Sequence, residues 1–379
     1  MKIAHVSPSF YPAVGYGGPI EASYQLCRWL ARTGAKVRVL TSDANGRSAR
    51  LDTRSGRAVE IDEGINVQYC RRLARDTVTP HLLRLLPSYV RWADVVHLTA
   101  VYSFPTIPTL AACRALGKPL VWSPRGALQR WDGSRRVWEK TLWEAACWAI
   151  APERVVFHVT SEEEARATQR RFRGARACVV PNGVTVQERS RRVATGEKLR
   201  LLYVGRLDPI KGVENLLEAC AIAQRELAVR LRLTIAGDGE GRYVRALRRR
   251  MSDLGIADVI SMHGWVGNGE KKALFEETDV IVVPSYQESF AMVVAEGLSY
   301  GIPVIASRGT PWRRIEEVGC GLWVANDAET LSRAIDSASR MPLREMGARG
   351  RDWMVREFNW PRIAARMLEL YRDLMGTGT

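Results

Sequence analysis

Short apolar runs alternate with amphipathic segments along the chain, and this alternation is the feature that most constrains the fold. In the N-terminal half the order runs through residues 3–6, 21–31, 37–40, 95–98, 111–116 and 120–122. Buried strands that alternate with amphipathic helices favour βαβ units, because parallel strands need a crossover connection. We therefore predict an α/β domain with a parallel sheet, over residues 1–185.

A polar stretch at residues 186–198 interrupts the pattern, which restarts at residue 199. We place a domain boundary there, since the stretch has almost nothing to bury. The second half, residues 199–358, predicts strands at 201–204, 231–236, 259–262, 280–283 and 303–305, with helices near 214–225, 243–254, 271–276 and 290–299. Two doubly wound domains that face one another across a cleft are expected, with ligands beyond the carboxyl ends of the strands.

Composition excludes several classes of protein. The 379 residues are 46% apolar and 26% charged, as in globular proteins, so a disordered or collagen-like chain is excluded. The 56 basic and 41 acidic residues give a net charge of +15, and 48 of the basic residues are Arg and 8 are Lys. This excess predicts an anionic partner.

The cysteines and the N-terminus predict a cytoplasmic protein. The seven cysteines are odd in number and no two lie closer than 31 residues, so neither a disulfide framework nor paired metal-ligand spacing is indicated. The first ten residues leave no room for the apolar stretch of a signal peptide. No stretch approaches the 18 or so apolar residues of a spanning helix, so any membrane contact is expected to be peripheral.

The segment 205–212 follows the first strand of the second half and carries two cations, Arg206 and Lys211, between Gly205 and Gly212. At a strand-to-helix turn both cations can point at one anionic group near a positive helix end. The alternative is an ordinary basic surface turn. It is not a Walker A loop, because Gly212 stands where Ser or Thr would follow the Lys.

Two later loops add polar groups to the same side of the predicted sheet. Residues 236–239 form a tight glycine turn. In the loop after strand 280–283, Ser289 is predicted to cap a helix, with Glu288 before it and Glu296 about two turns into that helix. A helix N-terminus beside a carboxylate suits a ligand that is anionic in one part and rich in hydroxyls in another. The alternative is a pair of solvated glutamates.

Together these motifs, with Gly264 and Val266, occur in the order and spacing typical of one family. The chain resembles a GT-B glycosyltransferase of the retaining class often called family 4, over nearly its whole length. In the N-terminal half, residues 8–18 followed by Glu21 resemble the family's glycine-rich first loop. Residues 123–128 look like a loop of members that build surface polysaccharides, and 181–184 resemble the exit from the first domain.

The resemblance implies a nucleoside-diphosphate-sugar donor bound mainly by the second domain and an acceptor bound by the first. A C-terminal helix at residues 361–375 is implied to pack back on the first domain. The implied catalytic residues are Arg206 and Lys211, which hold the diphosphate, and Glu288, which binds sugar hydroxyls. The implied donor-binding residues are Gly17, Gly18, Gly205, Gly237, Asp238, Ser289, the amides of Phe290 and Ala291, and Glu296 at the ribose.

One departure from the family concerns the acceptor pocket. Many members carry a histidine at the end of the strand that corresponds here to residues 120–123, whereas this chain has Arg125 at that place. His97, after strand residues 94–96, is an alternative pocket residue, although a lone histidine at a strand end is more often structural. His97 and Arg125 are therefore the pocket candidates.

No cofactor or metal is expected, the nucleotide sugar being a co-substrate. The chain has neither an Asp-x-Asp pair nor a His-Glu-x-x-His motif. Loss of the diphosphate develops negative charge, which fixed cations such as Arg206 and Lys211 can neutralise.

Tryptophans mixed with cations suggest a contact with the inner face of the membrane. Residues 128–151 contain Trp131, Trp138, Trp143 and Trp148 with Arg130, Arg135, Arg136 and Lys140. Such a segment suits an anionic interface, and so does 81–89 with Arg71, Arg72 and Arg75. The alternative is that Trp138, Leu142 and Ala145 or Ala146 face the core of the first domain. A lipid-linked acceptor in polysaccharide biosynthesis is expected.

Other classes of function remain as alternatives. The net charge would suit a nucleic-acid-binding protein, but no recognised motif or Lys-rich tail supports nucleic acid as a partner. A nucleotide-sugar epimerase or a phosphorylase would have the same fold; the first predicts product without an acceptor and the second a Lys-bound pyridoxal cofactor.

Overall fold

The protein divides into two compact units, described here from a computed structural model. The first unit comprises Met1–Gly183 and Trp360–Thr379, and the second Val184–Asn359. The structure describes residues 1–13, 15, 17–46, 49–53, 57–73, 78–130, 136–186 and 197–376. Most of the polar stretch predicted as the boundary lies outside these residues, as do Arg75, Trp131 and Arg135.

The first unit is built on an eight-stranded sheet whose strand order is β10-β9-β8-β7-β1-β2-β6-β5. All neighbours pair in parallel except β5 and β6, which are antiparallel. The elements are β1 (Lys2–Val6), α1 (Gly18–Arg32), β2 (Lys36–Ser42), β3 (Ala44–Asn45), β4 (Ala49–Arg50), β5 (Ala58–Asp62), β6 (Ile65–Cys70), α2 (Pro80–Trp92), β7 (Val95–Thr99), α3 (Thr106–Ala115), β8 (Leu120–Ser123), α4 (Val137–Ile150), β9 (Val155–Val159), α5 (Glu162–Arg171) and β10 (Ala177–Val179).

The second unit has a six-stranded parallel sheet of order β13-β12-β11-β14-β15-β16. Its elements are β11 (Leu199–Val204), the 3-10 turn Pro209–Lys211, α6 (Val213–Arg225), β12 (Leu231–Ala236), α7 (Gly241–Asp253), β13 (Ile260–Gly264), α8 (Asn268–Glu276), β14 (Val280–Val283), α9 (Met292–Ser299), β15 (Val304–Ser307), α10 (Arg314–Val318), β16 (Gly321–Val324), α11 (Ala328–Arg340) and α12 (Leu343–Glu357).

The chain returns to the first unit at its C-terminal helix, α13 (Trp360–Met375). The helix packs against α1, and its buried face includes Tyr371 and Met367. Gly183, where the chain first leaves this unit, lies against the indole of Trp360 so closely that a Cβ there would be 2.5 Å from the ring. The residue at which the chain leaves the first unit and the residue at which it returns are therefore in contact.

Both sheets are doubly wound, which confirms the predicted α/β class with two Rossmann-like domains. The central strands are almost fully buried, as their continuous apolar runs require when helices cover both faces of a parallel sheet. In each unit the strand order reverses beside a central strand: between β1 and β7 in the first, and between β11 and β14 in the second. Such switch points open a crevice beyond the carboxyl ends of the strands. Among the described residues, no helix has the length and apolarity needed to cross a membrane.

Candidate functional site

The switch point of the second unit brings together the two loops that carry the predicted catalytic residues. β11 and β14 are neighbours in the sheet, so Gly205, after β11, and Pro284, after β14, leave the sheet at the same edge. The amide of Tyr286 donates to the carbonyl of Ile210 at 2.8 Å, which joins the two loops directly. Residues 77 positions apart in sequence thus reach one site.

Lys211 and Glu288 form an ion pair at this edge. Lys211 Nζ lies 2.5 Å from Glu288 Oε1, and Ser285 Oγ donates to the same oxygen at 2.8 Å. The side chains are 20% and 15% exposed, so they are shielded but still reachable. Among the described residues, Glu288 Oε2 has no hydrogen-bond partner, and Lys211 keeps further N–H donors. The pair can therefore accept from a hydroxyl and donate to an oxyanion at one place.

Two glycines let the loops approach this closely. Gly212 adopts the left-handed conformation (φ 61°), and a Cβ there would lie 2.2 Å from the carbonyl oxygen of Pro284. At Gly237 a Cβ would lie 1.8 Å from the carbonyl oxygen of Gly205. A side chain at either position would push the loops apart, so both glycines are required by contact between backbones.

Arg206 and Asp238 lie at the same edge but are exposed. Arg206 Nε is 3.8 Å from Asp208 Oδ2, and 68% of its side chain is exposed. The Asp238 carbonyl accepts from Leu207 at 2.8 Å, while its side chain accepts from the amide of Gly239. Arg206 is therefore free to turn toward a ligand, whereas Asp238 contributes mainly through its backbone.

The predicted cap of α9 is wrong. The helix begins at Met292, and its N-cap is Ala291 in the left-handed conformation (φ 61°), whose side chain makes no capping hydrogen bond. The predicted cap, Ser289, lies two residues earlier. Because the indole of Trp312 donates to the carbonyl of Phe290, the backbone before the helix is held in an irregular turn. Glu296 consequently lies little more than one turn into the helix, not two.

Glu296 pairs with a residue that sequence reasoning did not identify. Lys271 Nζ, on α8, lies 2.6 Å from Glu296 Oε2, with the two side chains about equally exposed at 25% and 24%. The sequence predicted a helix at Lys271 but not which of the adjacent lysines faces α9. Ser285 was also missed; its position three residues before Glu288 was the available signal.

In the first unit, Gly17 and Gly18 lie at the start of α1, the helix that follows β1. Both are exposed, Gly17 with φ 75°, and a Cβ on Gly17 would meet nothing within 4 Å. Pro19 has no amide proton and the amide of Ile20 donates to the carbonyl of Gly17 at 3.2 Å, so among the first three residues of α1 Gly18 is the one that can offer an amide to an anion.

His97 belongs to a buried hydrogen-bond chain. His158 Nε2 donates to the carbonyl of Val180 at 2.9 Å, which leaves its Nδ1 to accept from Ser123 Oγ at 2.7 Å. Ser123 in turn accepts from His97 Nε2, and His97 Nδ1 accepts from the Tyr371 hydroxyl, each at 2.6 Å. Both ring nitrogens of His97 are thus occupied within the core.

Burial sets the charge of the histidines in this region. Burial, with the nearby charge of Arg125, lowers the pKa of His5 and of His158 to about 3. Burial, then the neighbouring His5 and His158, holds the pKa of His97 well below its usual range. All three rings are therefore neutral near pH 7. Among the described residues no group of three or more His, Cys, Asp or Glu could hold a metal ion.

Arg125, the other pocket candidate, lies beyond the carboxyl end of β8. Its Nη1 donates to Asn182 Oδ1 at 2.6 Å, and its backbone has φ 54°. Burial lowers its pKa, while the carboxylate of Glu164 raises it. The structure brings Arg125 near the histidines, but not into direct hydrogen-bond contact with His97.

Helix α4 shows that the tryptophans have different environments. Trp143 and Trp148 pack against the core of the first unit, whereas Trp138 and Leu142 are 68% and 63% exposed. Ala145 and Ala146 are exposed as well. The alternative that Trp138, Leu142 and Ala145 or Ala146 face the core is therefore wrong. The outer face of α4 thus exposes Val137 and these four apolar residues, with the polar side chains of Glu139 and Thr141 beside them.

Two family models match the chain in succession. One described as Glycosyltransferase Family 4 matches residues 16–188, and one described as Glycosyl transferases group 1 matches residues 186–353. Together they span both units and every residue of the Lys211–Glu288 site.

Similar proteins cover the whole chain. A GDP-mannose:cellobiosyl-diphosphopolyprenol alpha-mannosyltransferase of Xanthomonas oryzae pv. oryzae (strain PXO99A) is 28% identical, over 99% of this chain and 98% of its own. The sucrose-phosphate synthase of Thermosynechococcus elongatus superposes with a TM-score of 0.77 at 22% identity, over 100% of each chain. Anabaena HepE in complex with UDP-glucose gives a TM-score of 0.74 at 16% identity, over 98% of this chain and 100% of its own.

Proposed function

Because this chain belongs to the family 4 glycosyltransferases and has the GT-B fold, we propose that it transfers a sugar from a nucleoside diphosphate to a hydroxyl of a lipid-linked glycan. The configuration at the anomeric carbon is retained. The observation that carries the proposal is the Lys211–Glu288 pair at the switch point of the second unit. The reaction would serve the synthesis of a cell-surface polysaccharide.

The charges of the site suit the departure of a diphosphate. Breaking the bond from the anomeric carbon leaves a sugar with positive character and a leaving group with growing negative charge. Lys211 and the exposed Arg206 supply cations for the diphosphate, so we expect no need for a metal ion. Glu288 Oε2 accepts from a hydroxyl of the donor sugar, while Oε1 stays bound to Lys211 and Ser285. Glu296, held by Lys271, accepts from the ribose hydroxyls.

The whole-length relative suggests which substrates to test first. It is named for GDP-mannose as donor and for a diphosphopolyprenol-linked cellobiose as acceptor. Anabaena HepE was solved with UDP-glucose. We therefore propose GDP-mannose as the first donor and a short-chain lipid diphosphate disaccharide as the first acceptor.

The test is a transfer assay on the full chain with UDP-, GDP-, ADP- and dTDP-sugars in EDTA, with and without the acceptor. We expect one donor to give product only with acceptor, and proton NMR of the new linkage to show the donor's anomeric configuration. Inverted product would contradict retention. Product formed without any acceptor would favour the epimerase alternative.

We further propose that the first unit docks on an anionic membrane through the outer face of α4. Trp138 and Leu142 are exposed there, and Arg136 beside them has 78% of its side chain exposed, with its Nε 3.8 Å from Glu139 Oε2. Leu83 on α2 is also exposed, and α3 contacts both α2 and α4. Apolar side chains flanked by cations bind anionic interfaces by burying apolar area and by attracting lipid charge. This surface would bring the enzyme to a lipid-linked acceptor.

A double variant, Trp138→Ser with Leu142→Ser, tests this docking. Burial of the two side chains accounts for about 3 kcal/mol or more, so we expect vesicle affinity to fall at least about 100-fold. The measurement is co-sedimentation with phosphatidylglycerol vesicles. Trp265→Ser is the matched control, because Trp265 is 62% exposed on the second unit. Equal sedimentation of the wild type and the double variant would contradict docking through α4.

A further inference from the structure

The guanidinium of Arg125 has buried donors that the protein does not use. Nε and Nη2 are shielded from solvent and have no hydrogen-bond partner among the described residues; Nη1 donates to the neutral amide oxygen of Asn182. Buried donors are nearly always paired in native proteins, because an unpaired one loses its hydration without replacement. For a charged group this cost is larger still.

The nearest carboxylate does not pair with Arg125. Both oxygens of Glu164 are engaged elsewhere: Oε1 accepts from the amide of Gly126 at 2.5 Å, and Oε2 from the amide and hydroxyl of Thr160 at 2.8 and 2.7 Å. Glu164 acts on Arg125 only through its field. The two free nitrogens therefore lack a direct counterion within the described part of the chain.

Apart from the Glu164 carboxylate, the ionisable side chains closest to Arg125 are neutral. His5, His97 and His158 are uncharged near pH 7 for the reasons given above, and the chain through Ser123 fixes two of these rings. Arg125 is thus a positive charge at the carboxyl edge of the first sheet that is offset only by the field of Glu164. That edge is where doubly wound sheets bind ligands.

The backbone at this loop is strained at Arg125. Arg125 and Gly126 are consecutive left-handed residues, with φ of 54° and 80°. Arginine disfavours this conformation, and such strain persists where the surrounding structure compensates for it, often at ligand sites. The residue as a whole is only half-buried, so part of it reaches the surface.

We propose that Arg125 binds a phosphate group, with Nε and Nη2 each donating to one phosphate oxygen. A planar guanidinium presents two parallel N–H donors that match two such oxygens. The inference rests on the proposed function for the source of the phosphate. The donor diphosphate already has Arg206 and Lys211 in the second unit, so the phosphate at Arg125 belongs to the diphosphate of the lipid-linked acceptor.

The test compares two ligands and two arginines. Binding of farnesyl diphosphate and of GDP to the full chain is measured by calorimetry for the wild type, Arg125→Gln, Arg125→Lys and Arg206→Gln. We expect Arg125→Gln to weaken farnesyl diphosphate about 10- to 100-fold and to leave GDP within about threefold. Arg206→Gln should show the reverse. Farnesol, which lacks phosphate, should bind both Arg125 variants and the wild type alike.

Several results would overturn the proposal. One is that Arg125→Gln binds farnesyl diphosphate as tightly as the wild type does. Another is that the wild type does not bind farnesyl diphosphate at all. A third is that Arg125→Gln loses affinity for GDP alone, which would place the donor diphosphate at Arg125. If Arg125→Gln does not fold, the test relies on Arg125→Lys. Lysine keeps the positive charge but lacks the two parallel N–H donors of the guanidinium, so this variant should bind farnesyl diphosphate about tenfold more weakly. The wild type could bind no nucleotide sugar and still bind farnesyl diphosphate through Arg125. That result would refute the proposed use of a nucleotide-sugar donor, but not the phosphate site at Arg125.

Discussion

We expect the Lys211→Ala variant to lose glycosyl transfer by about 100- to 1,000-fold in kcat, the range seen when one fixed charge-stabilising donor is removed from an active site. The ammonium of Lys211 lies 2.5 Å from Glu288, at the edge where the diphosphate is proposed to leave. Substitution by alanine removes a cation whose attraction to the diphosphate grows as this leaving group gains negative charge. It also leaves the Glu288 carboxylate, which is only 15% exposed, without a counterion.

The measurement is the initial rate at saturating donor, together with thermal unfolding with and without donor. Wild type at about 100 times the dissociation constant should gain roughly 2.7 kcal/mol of stability, and Lys211→Ala much less. Lys272→Ala is the matched control, because Lys272 on α8 is exposed and its ion pair with Glu276 is long, at 4.0 Å. Full activity of Lys211→Ala, beside normal activity of the control, would remove Lys211 from the mechanism.

Most strands of the two sheets could be predicted from the sequence because each contains a short apolar run, whereas β5, β6, β9, β10 and β16 were not predicted. The predicted strand 231–236 coincides with β12 and 280–283 with β14, while helix ends differ by a few residues. A strand in a parallel sheet is buried on both faces when helices cover the sheet, so its sequence is a continuous apolar run. Such a run therefore marks a buried strand directly. The loops at the switch point were located by their charged residues and by the resemblance to the family.

The fine structure of the site depends on tertiary contacts that no local pattern records. Ser289 has the preferred chemistry of a helix cap, yet the Trp312 indole holds the carbonyl of Phe290 and delays the helix to Met292. Lys271 and Lys272 are equivalent in sequence, and only the packing of α8 beside α9 selects Lys271 for Glu296. Such choices are made by residues far away in the chain.

Helix α4 illustrates a different limit of the sequence. It is apolar almost all round, so periodicity cannot decide which of its faces is buried. The structure buries Cys147 and packs Trp143 inward, which turns Trp138 and Leu142 outward. The contact of His97 with Tyr371, 274 residues away, was also not predicted, although the resemblance implied that the C-terminal helix returns to the first unit.

We also expect the first unit to lose stability sharply between about pH 7 and pH 5.5, because it buries three neutral histidines. An unfolded histidine has a pKa near 6.5, whereas the pKa of His5 and of His158 is about 3 in the folded protein and that of His97 is also lowered. Between these values the unfolded chain binds more protons, so stability is present above pH 6.5 and is lost as the pH falls. Each histidine should cost about 1.3 kcal/mol over this interval and the three about 4 kcal/mol.

Carboxylates contribute little in this window, because Asp62, Asp327 and Glu357 have pKa values below the usual acidic range and lose their stabilising effect only at lower pH. Hydrogen exchange read by mass spectrometry, corrected for intrinsic rates, can follow peptides from β7–β9, with β11–β14 as the internal reference. His158→Gln should reduce the pH dependence of the first unit by about one third, since one of three titrating rings is removed. His263→Gln, at an exposed position on β13, should leave it unchanged. Equal protection of β7–β9 at both pH values would mean that the three rings are already protonated in the fold, and that the hydrogen-bond chain from Val180 to Tyr371 has a different arrangement of protons.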